Sequence, residues 1–314
     1  MPMEPDETTA AAMAGEVLAG PIAVSRFPTG LQHFVFEATS IQGRQAVVRV
    51  SRREDVGMAR NSIYWSDLLR PLGIPLPKIL HADLTMDRHR FPFVILERLP
   101  GRDLGFMVDR LSDETLRDLA RRLSGLQAIV TSLPQGRGYG FTPRIDGPFP
   151  HIRWTDCIAA SLGRSRRRIR EAGIVSERHV DRAEAASDRH AAYFASVQPT
   201  AFLHDITTKN VIVDGTHLSG IVDVDDLCFG DPLFHVGLTR TALLANGHSA
   251  YYADAWIDLL ELDHEQVAAL DFYTALFCID FMGELGRRFN QVEAQTIDRS
   301  YLERLCGVLD RYLE

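Results

Sequence analysis

Residues 203–213 read LHDITTKNVIV, and SGIVDVDD follows at residues 219–226. The β-branched runs in both segments predict two short strands, and DGTH at 214–217 is a turn between them. If the strands pair as a hairpin, Asn210 and Asp223 lie at the same edge. An amide oxygen and a carboxylate there are ligands that suit Mg²⁺, and Asp205, further out, can accept a hydroxyl proton. The alternative is that these residues only shape turns.

The first third of the chain has the pattern of a small sheet. HFVFEATS at 33–40, RQAVVRVS at 44–51 and RFPFVILER at 90–98 are rich in branched and aromatic residues, and the first two are expected to be antiparallel neighbours. MARNSIYWSDLLRPL at 58–72 has a helical period and stops before the prolines of GIPLP. The pattern predicts two strands, one helix and a further strand.

Long helical patterns follow the turn at Pro100 and Gly101. SDETLRDLARRLSGLQAIV at 112–130 begins with Ser112 as the expected cap and places leucines on one face. Only residues 201–225 interrupt the helices with strand-like pieces. The prediction is an α+β fold with an N-terminal lobe at 1–99 and a larger, mainly helical lobe at 100–314.

Composition excludes several classes of protein. The formal net charge of −8 and the pI near 5.8 argue against a nucleic-acid partner. The four cysteines lack metal-site spacing and favour a reducing compartment, with the cytoplasm as the default. No signal peptide and no membrane span is expected.

The segment from His204 to Phe234 resembles the catalytic loop and metal-binding segment of the aminoglycoside phosphotransferase and choline kinase group, relatives of the protein kinases. The resemblance implies a bilobal protein-kinase-like fold. It implies that Asp205 orients or deprotonates the acceptor hydroxyl and that Asn210 and Asp223 bind Mg²⁺. The Gly-Asp-Pro that follows in the group matches residues 230–232, where Asp231 is expected to hold the loop in place.

The first third is also similar to this group. The segment FPTGLQHFVFEA at 27–38 resembles its nucleotide loop, with Gly30 at the loop position, and QAVVRVS resembles the strand that carries the phosphate-binding cation, here Arg49. FVILERLPGRDL at 93–104 resembles the hinge, where backbone groups near Glu97 and Leu99 meet the base of ATP or GTP. The motifs occur in the right order over residues 20–235.

Three positions depart from the pattern of the group. Leu203 stands where a histidine normally supports the loop, and Arg49 replaces the lysine typical of protein kinases. The helix glutamate that would pair with this cation is missing, because the alignment falls near Asn61 or Ser62. Glu54 and Asp67 are the remaining candidates, or the pair is absent. Lys209, where tyrosine kinases carry an arginine, can balance charge on the transferring phosphoryl group.

The expected function is phosphoryl transfer from ATP or GTP to the hydroxyl of a small molecule. Aminoglycosides, macrolides, choline-like amines, homoserine and sugar alcohols are all open as acceptors. A cationic, aminoglycoside-like acceptor is favoured by four acidic residues that are expected near the cleft; they are Asp225, Asp226, Asp280 and Glu284. A solvated loop explains the first two equally well, and core packing explains the aromatic residues beside the last two. The arginine run RSRRRIR at 164–170 is interpreted as a solvated helix face.

Two other functions compete with this interpretation. A pseudokinase that binds a nucleotide or a partner without transfer would explain the departures at Leu203 and Arg49. An HD-type metal phosphohydrolase would use His204 and Asp205 as a metal doublet, although such proteins are helical and these residues precede strand patterns.

Overall fold

The computed structural model describes residues 4–27, 33–287 and 297–313. They form two compact units. The first contains residues 4–27, 33–100 and 220–226, and the second contains residues 101–219, 227–287 and 297–313. The short segment 220–226 therefore brings three aspartates of the DVDD motif into the first unit. The predicted α+β class, with a small antiparallel sheet and a larger helical part, is confirmed.

The first unit is built on a five-stranded antiparallel sheet with the strand order β1-β2-β3-β5-β4. The predicted antiparallel pairing of β2 and β3 is confirmed, and Phe34 lies opposite Val50. Alternate residues of β2 are buried, as a sheet with one covered face requires. The strand bounds are β1 Ile22–Arg26, β2 Phe34–Ser40, β3 Gln45–Val50, β4 Ile79–Asp83 and β5 Phe93–Glu97.

Two helices belong to this unit, where the sequence predicted one. Helix α2, Val56–Leu69, is the predicted helix, and it continues as a 3₁₀ turn to Leu72 before Gly73. Helix α1, Glu7–Ala14, was missed because it is short and alanine-rich and buries only small residues and Met13. Its first turn is capped by Asp6, whose side chain accepts a bond from the Thr9 amide.

The second unit is mainly helical. The predicted cap of α3 is confirmed, since the Ser112 hydroxyl accepts a bond from the Thr115 amide. No helix within the described ranges is long and apolar enough to cross a membrane. The helix bounds are α3 Asp113–Thr131, α4 Trp154–Ala172, α5 Arg178–Arg189, α6 Ala191–Ser196, α7 Leu233–Ala245, α8 Tyr251–Asp258, α9 His264–Met282 and α10 Arg299–Leu313.

Six short strands accompany these helices in two three-stranded sheets. One sheet has the order β10-β9-β6 and the other β7-β11-β8. The predicted strands on either side of the DGTH turn are β9 and β10, which are neighbours in the first sheet. The bounds are β6 Arg102–Asp103, β7 Gly140–Thr142, β8 Thr200–Phe202, β9 Val211–Asp214, β10 His217–Ile221 and β11 Leu227–Gly230.

Candidate functional site

The loop between β8 and β9 holds Asp205 in a defined environment. The Thr207 hydroxyl donates to its Oδ1 at 2.9 Å, and Lys209 Nζ lies 3.1 Å from its Oδ2. The Asn210 side-chain amide donates to the Asp205 carbonyl oxygen at 2.8 Å. The loop therefore brings together three residues that the sequence selected, and both carboxylate oxygens of Asp205 have a donor within the loop.

The electrostatics of this loop keep Asp205 ionised. Burial raises the pKa of Asp205, but the charge of Lys209 and the hydrogen bonds from Lys209 and Thr207 lower it below its ordinary value. Nearly a third of the side chain remains exposed. The carboxylate is thus charged at neutral pH and accessible, as a group that accepts a proton from a hydroxyl must be.

Leu203 leaves the loop without the usual histidine, and Gln127 on α3 supports it instead. The Gln127 amide donates to the Leu203 carbonyl at 3.1 Å, and its oxygen accepts from the Leu203 amide at 3.0 Å. His235 Nδ1 lies 3.0 Å from the same glutamine amide nitrogen. All three side chains are buried, so a distant helix fixes the loop two residues before Asp205.

His204 is packed among aromatic rings. Its ring contacts Phe141 edge-on at 4.7 Å between centroids, stacks on Phe234 at 5.4 Å and approaches Phe277 at 5.9 Å. Burial among these rings lowers the pKa of His204 to about 4. The imidazole is therefore neutral at physiological pH and is not a proton donor in that range.

In the first unit, Arg49 is buried and pairs with the DVDD segment. Its guanidinium binds both carboxylate oxygens of Asp225, with Nη1 at 2.6 Å from Oδ1, and Nη2 lies 2.8 Å from Asp223 Oδ1. The sequence left open whether Glu54, Asp67 or no acid pairs with Arg49, and the partners are Asp225 and Asp223 instead. Glu54 and Asp67 are exposed, and a buried guanidinium needs a carboxylate that is buried with it.

Asp225 and Asp226 have partners in the same unit. Asp225 also accepts from His33 Nε2 at 3.0 Å, and His33 Nδ1 lies 3.0 Å from the Ser51 hydroxyl. Although burial opposes it, the Arg49 charge and the His33 bond hold the pKa of Asp225 below its ordinary value. Asp226 accepts from the Asn61 amide at 3.0 Å, while burial and the Asp225 charge raise its pKa to about 6. Neither residue is part of a solvated loop.

Asp223 has an unusual backbone conformation. Its φ of +65° lies in the left-handed region, where non-glycine residues are uncommon and aspartate is among the better tolerated. Half of its side chain is exposed. Such conformations cost roughly 1–3 kcal/mol and concentrate at functional sites. An uncommon backbone conformation and an exposed carboxylate therefore coincide at the residue that was predicted as a metal ligand.

Asn210 and Asp223, the predicted metal ligands, each carry an oxygen donor. Within the described ranges, no group of three or more His, Cys, Asp or Glu side chains forms a cage for a metal. Mg²⁺ commonly takes only one or two protein oxygens and fills the rest of its coordination sphere with water and phosphate. Asn210 uses its amide nitrogen within the loop, which leaves its oxygen as the ligand end. The oxygen donors of Asn210 and Asp223 are therefore of the right chemical type.

The predicted nucleotide residues are placed as follows. Gly30 lies outside the described residues. Glu97 ends β5, and its amide donates to the Lys78 carbonyl at 2.8 Å. The Leu99 carbonyl accepts from the Arg98 side chain. A cavity of about 40 Å³, the size of one or two waters, lies beside Arg49 and Asp223 between β4, β5 and α2.

Asp280 and Glu284 lie on and just beyond α9, where arginines of α4 contact them. Asp280 Oδ1 is 3.1 Å from Arg164 Nη2 and accepts from the Ser165 hydroxyl at 3.0 Å. Arg168 Nη1 lies 3.5 Å from Asp280 and 3.6 Å from Glu284. The interpretation of RSRRRIR as a solvated face was therefore wrong for these arginines, because they pair with acids on a neighbouring helix.

Four residues of these networks were missed by the sequence analysis: His33, Gln127, Arg164 and Arg168. Each acts through a partner distant along the chain, and Gln127 reaches Leu203 across 76 positions. One signal was available, since the absent loop histidine required another group to satisfy the Leu203 backbone. Nothing in the sequence singled out Gln127 for this role.

Comparison with known proteins places the chain in a family. A family model described as the phosphotransferase enzyme family matches residues 24–270. No curated protein matches the chain. Several solved structures share the fold of this chain. Their sequence identity to it is too low to assign a function.

A thermostable mutant of the aminoglycoside phosphotransferase APH(4)-Ia in its apo form has a TM-score of 0.68 and 15% identity, over 98% of each chain. The complex of APH(2'')-IIIa with GDP and kanamycin has a TM-score of 0.68 and 16% identity, over 97% of each chain. ADP-bound APH(2'')-Ib has a TM-score of 0.64 and 15% identity, over 99% of this chain and 97% of that one. The family match covers most of the chain, and the folds agree over nearly all of it. The chain therefore belongs to the phosphotransferase enzyme family and has its protein-kinase-like fold, as the sequence resemblance predicted.

Proposed function

We propose that this phosphotransferase moves the terminal phosphoryl group of ATP or GTP to a hydroxyl of a small molecule, with Asp205 as the base. The observation that carries the proposal is the loop geometry, in which an ionised, partly exposed Asp205 lies beside Lys209 and Asn210. Asp205 accepts the hydroxyl proton as the oxygen attacks phosphorus. Lys209 balances the negative charge that spreads over the phosphoryl oxygens.

The nucleotide is assigned to the residues of the first unit that the resemblance selects. Arg49, which pairs with Asp225 and Asp223, is the proposed cation beside the phosphate oxygens. Gly30, which lies outside the described residues, is assigned to the phosphate loop by the resemblance alone. Backbone groups near Glu97 and Leu99 are assigned to the base of the nucleotide; the Glu97 amide and the Leu99 carbonyl already have partners. Asn210 and Asp223 are the proposed ligands of Mg²⁺, which when bound neutralises charge on the phosphates. Relatives in solved structures bind ADP or GDP, which supports a nucleotide co-substrate.

The two competing functions are less well supported. A pseudokinase would not need both an ionised Asp205 and the left-handed backbone conformation of Asp223. An HD-type phosphohydrolase needs His204 as a metal ligand, but that ring is enclosed by aromatic residues. The described residues also contain no metal-binding cluster of the kind that it requires.

The Asp205→Asn variant tests the proposal. We expect the turnover of nucleotide with acceptor to fall by roughly two to four orders of magnitude, because general-base catalysis contributes about that much. Nucleotide affinity should stay within about twofold, since Asp205 is assigned to the acceptor. Both are measured, by product release and by isothermal titration with Mg²⁺ and the nucleotide.

Asp214→Asn is the matched control, because Asp214 is an exposed aspartate at the end of β9. It should turn over at the wild-type rate. If Asp205→Asn and Asp214→Asn have equal turnover, Asp205 is not the base.

We place the reaction in the cytoplasm. The four cysteines are all free thiols, and a reducing compartment keeps them so.

A further inference from the structure

Two of the acids that were expected to attract a cationic acceptor are already paired with arginines. Asp280 contacts Arg164 at 3.1 Å and Arg168 at 3.5 Å, and Glu284 contacts Arg168 at 3.6 Å. Helices α4 and α9 meet closely here: a Cβ added at Gly283 would lie 3.2 Å from Arg168 Cβ. The arginines are therefore held against the acids by the packing of two helices.

This ion-pair cluster lies next to the catalytic loop. Phe277 contacts the His204 ring, and Asp280 follows Phe277 by one helical turn on the same face of α9. The charges of Asp280 and Arg164 also act on His204 in opposite directions. An acceptor that reaches Asp205 therefore lies close to the cluster, and the cluster presents it with paired charges.

The charges around the loop balance. The carboxylates are those of Asp205, Asp280 and Glu284, and the cations are Lys209, Arg164 and Arg168. Each carboxylate has a cation within 4 Å. A polycation that bound here would first have to separate an existing ion pair, and the cost of that step offsets the attraction it gains.

The two expected acids of the DVDD segment, Asp225 and Asp226, also have partners within the protein. Within its own unit, Asp225 is bound by Arg49 and His33, and Asp226 accepts a hydrogen bond from Asn61. All four acids that favoured a cationic acceptor thus have partners inside the protein.

An aromatic surface lies beside the loop as well. Phe141 on β7 contacts His204 edge-on and remains 44% exposed. Sites for small molecules combine such aromatic walls with a few polar groups that fix orientation. An exposed ring beside this loop can pack against the apolar face of a sugar ring.

We infer that the acceptor is a neutral polyhydroxy compound with an apolar face, of the sugar or glycoside class, and not a polycation. The inference rests on the proposed function, since it names the acceptor of the same reaction.

An acceptor panel provides the first test. With Mg²⁺ and ATP or GTP, neutral glycosides such as phenyl glucoside are compared with kanamycin and hygromycin B by nucleotide product release. We expect kcat/KM for the best neutral acceptor to exceed that for either polycation by at least about tenfold. Losing one charge pair or one pocket contact changes kcat/KM by about this factor. Polycations that equal or exceed the neutral compounds overturn the inference.

A variant that removes the arginine partners of the acids tests the inference by binding and does not depend on catalysis. Arg164→Gln combined with Arg168→Gln removes the partners of Asp280 and Glu284, so kanamycin should bind this variant at least about tenfold more tightly than wild type at low salt. Binding is measured by calorimetry on the full chain. Equal affinity of wild type and variant overturns the inference.

Arg166→Gln is the matched control. Arg166 belongs to the same arginine run but pairs with Asp181 and Glu184. Its affinity for kanamycin should equal that of wild type. If no acceptor of either class is phosphorylated and no nucleotide binds, the proposed function fails. The kanamycin titrations still decide whether the arginines neutralise Asp280 and Glu284.

Discussion

At the residue scale, the pair of Asp205 and Lys209 sets the ionisation of the proposed base. Burial raises the pKa of Asp205. Interactions within the loop lower it by more, and the charge of Lys209 is the largest of them. A carboxylate with a depressed pKa is active above that pKa and loses activity as the pH falls through it. The acid limb of the pH–rate profile should therefore lie below the ordinary value of 3.8.

The Lys209→Met variant should move this acid limb to higher pH. Without the ammonium group, burial is opposed only by weaker interactions, so the pKa of Asp205 rises. The profile of kcat/KM is measured from acid to neutral pH. Lys209→Arg keeps the charge and should leave the limb in place. An unchanged limb in Lys209→Met would show that the pair does not set the pKa of the base.

Gln127 is the second residue with a large expected effect. Gln127→Leu leaves the buried amide and carbonyl of Leu203 without their partners, and each unsatisfied group costs about 1–3 kcal/mol. We expect the free energy of unfolding to fall by about 2–4 kcal/mol. Urea unfolding measures it.

Gln198→Leu is the control, because Gln198 is exposed and bonds only to a carbonyl two residues away. It should change the free energy of unfolding by less than about 0.5 kcal/mol. Similar losses in both variants would show that Gln127 does not support the loop.

At the element scale, long helices were predictable and short strands were not. The repeat of buried leucines in α3 and its Ser112 cap are local signals over 19 residues. Strands β6, β7 and β11 have two to four residues, which is too short for an alternating pattern to stand out. Their positions depend on partners far along the chain, as in the pairing of Cys228 with Phe202.

The turn before β6 depends on Gly101. Its φ is +90°, and a Cβ there would lie 2.0 Å from the Val213 carbonyl oxygen in β9. Gly101→Ala is therefore expected to cost about 3 kcal/mol or more of unfolding free energy, because backbone and not a flexible side chain blocks the space.

Gly173→Ala separates the two causes of this cost. Gly173 ends α4 with a φ of +65° and has nothing within 4 Å of an added Cβ. Only the backbone conformation is penalised there, at about 1 kcal/mol. Urea unfolding of both variants measures the difference. Equal costs would contradict the close approach of Val213.

At the scale of the whole molecule, the nucleotide should stabilise the protein in a magnesium-dependent way. A ligand at 100 times its Kd that binds only the folded chain adds about 2.7 kcal/mol, or roughly 5 °C or more in Tm. We expect this rise with ATP or GTP and Mg²⁺ in a thermal melt. With EDTA, or in Asp223→Ala, the rise should be much smaller. The same rise under all conditions would exclude Asp223 as a metal ligand.

The sequence by itself determined the fold class, the family and the loop from Asp205 to Asn210. These rest on local patterns: strand and helix periodicity, a cap, and residues within five positions of one another. Only the tertiary structure decided which partners the charges have. Arg49 with Asp225, Gln127 with Leu203, and Arg164 with Asp280 join residues that are 76 to 176 positions apart. A sequence does not show whether a carboxylate is open to a ligand or already paired within the protein. Burial and the choice of partner are decided only when distant elements pack together.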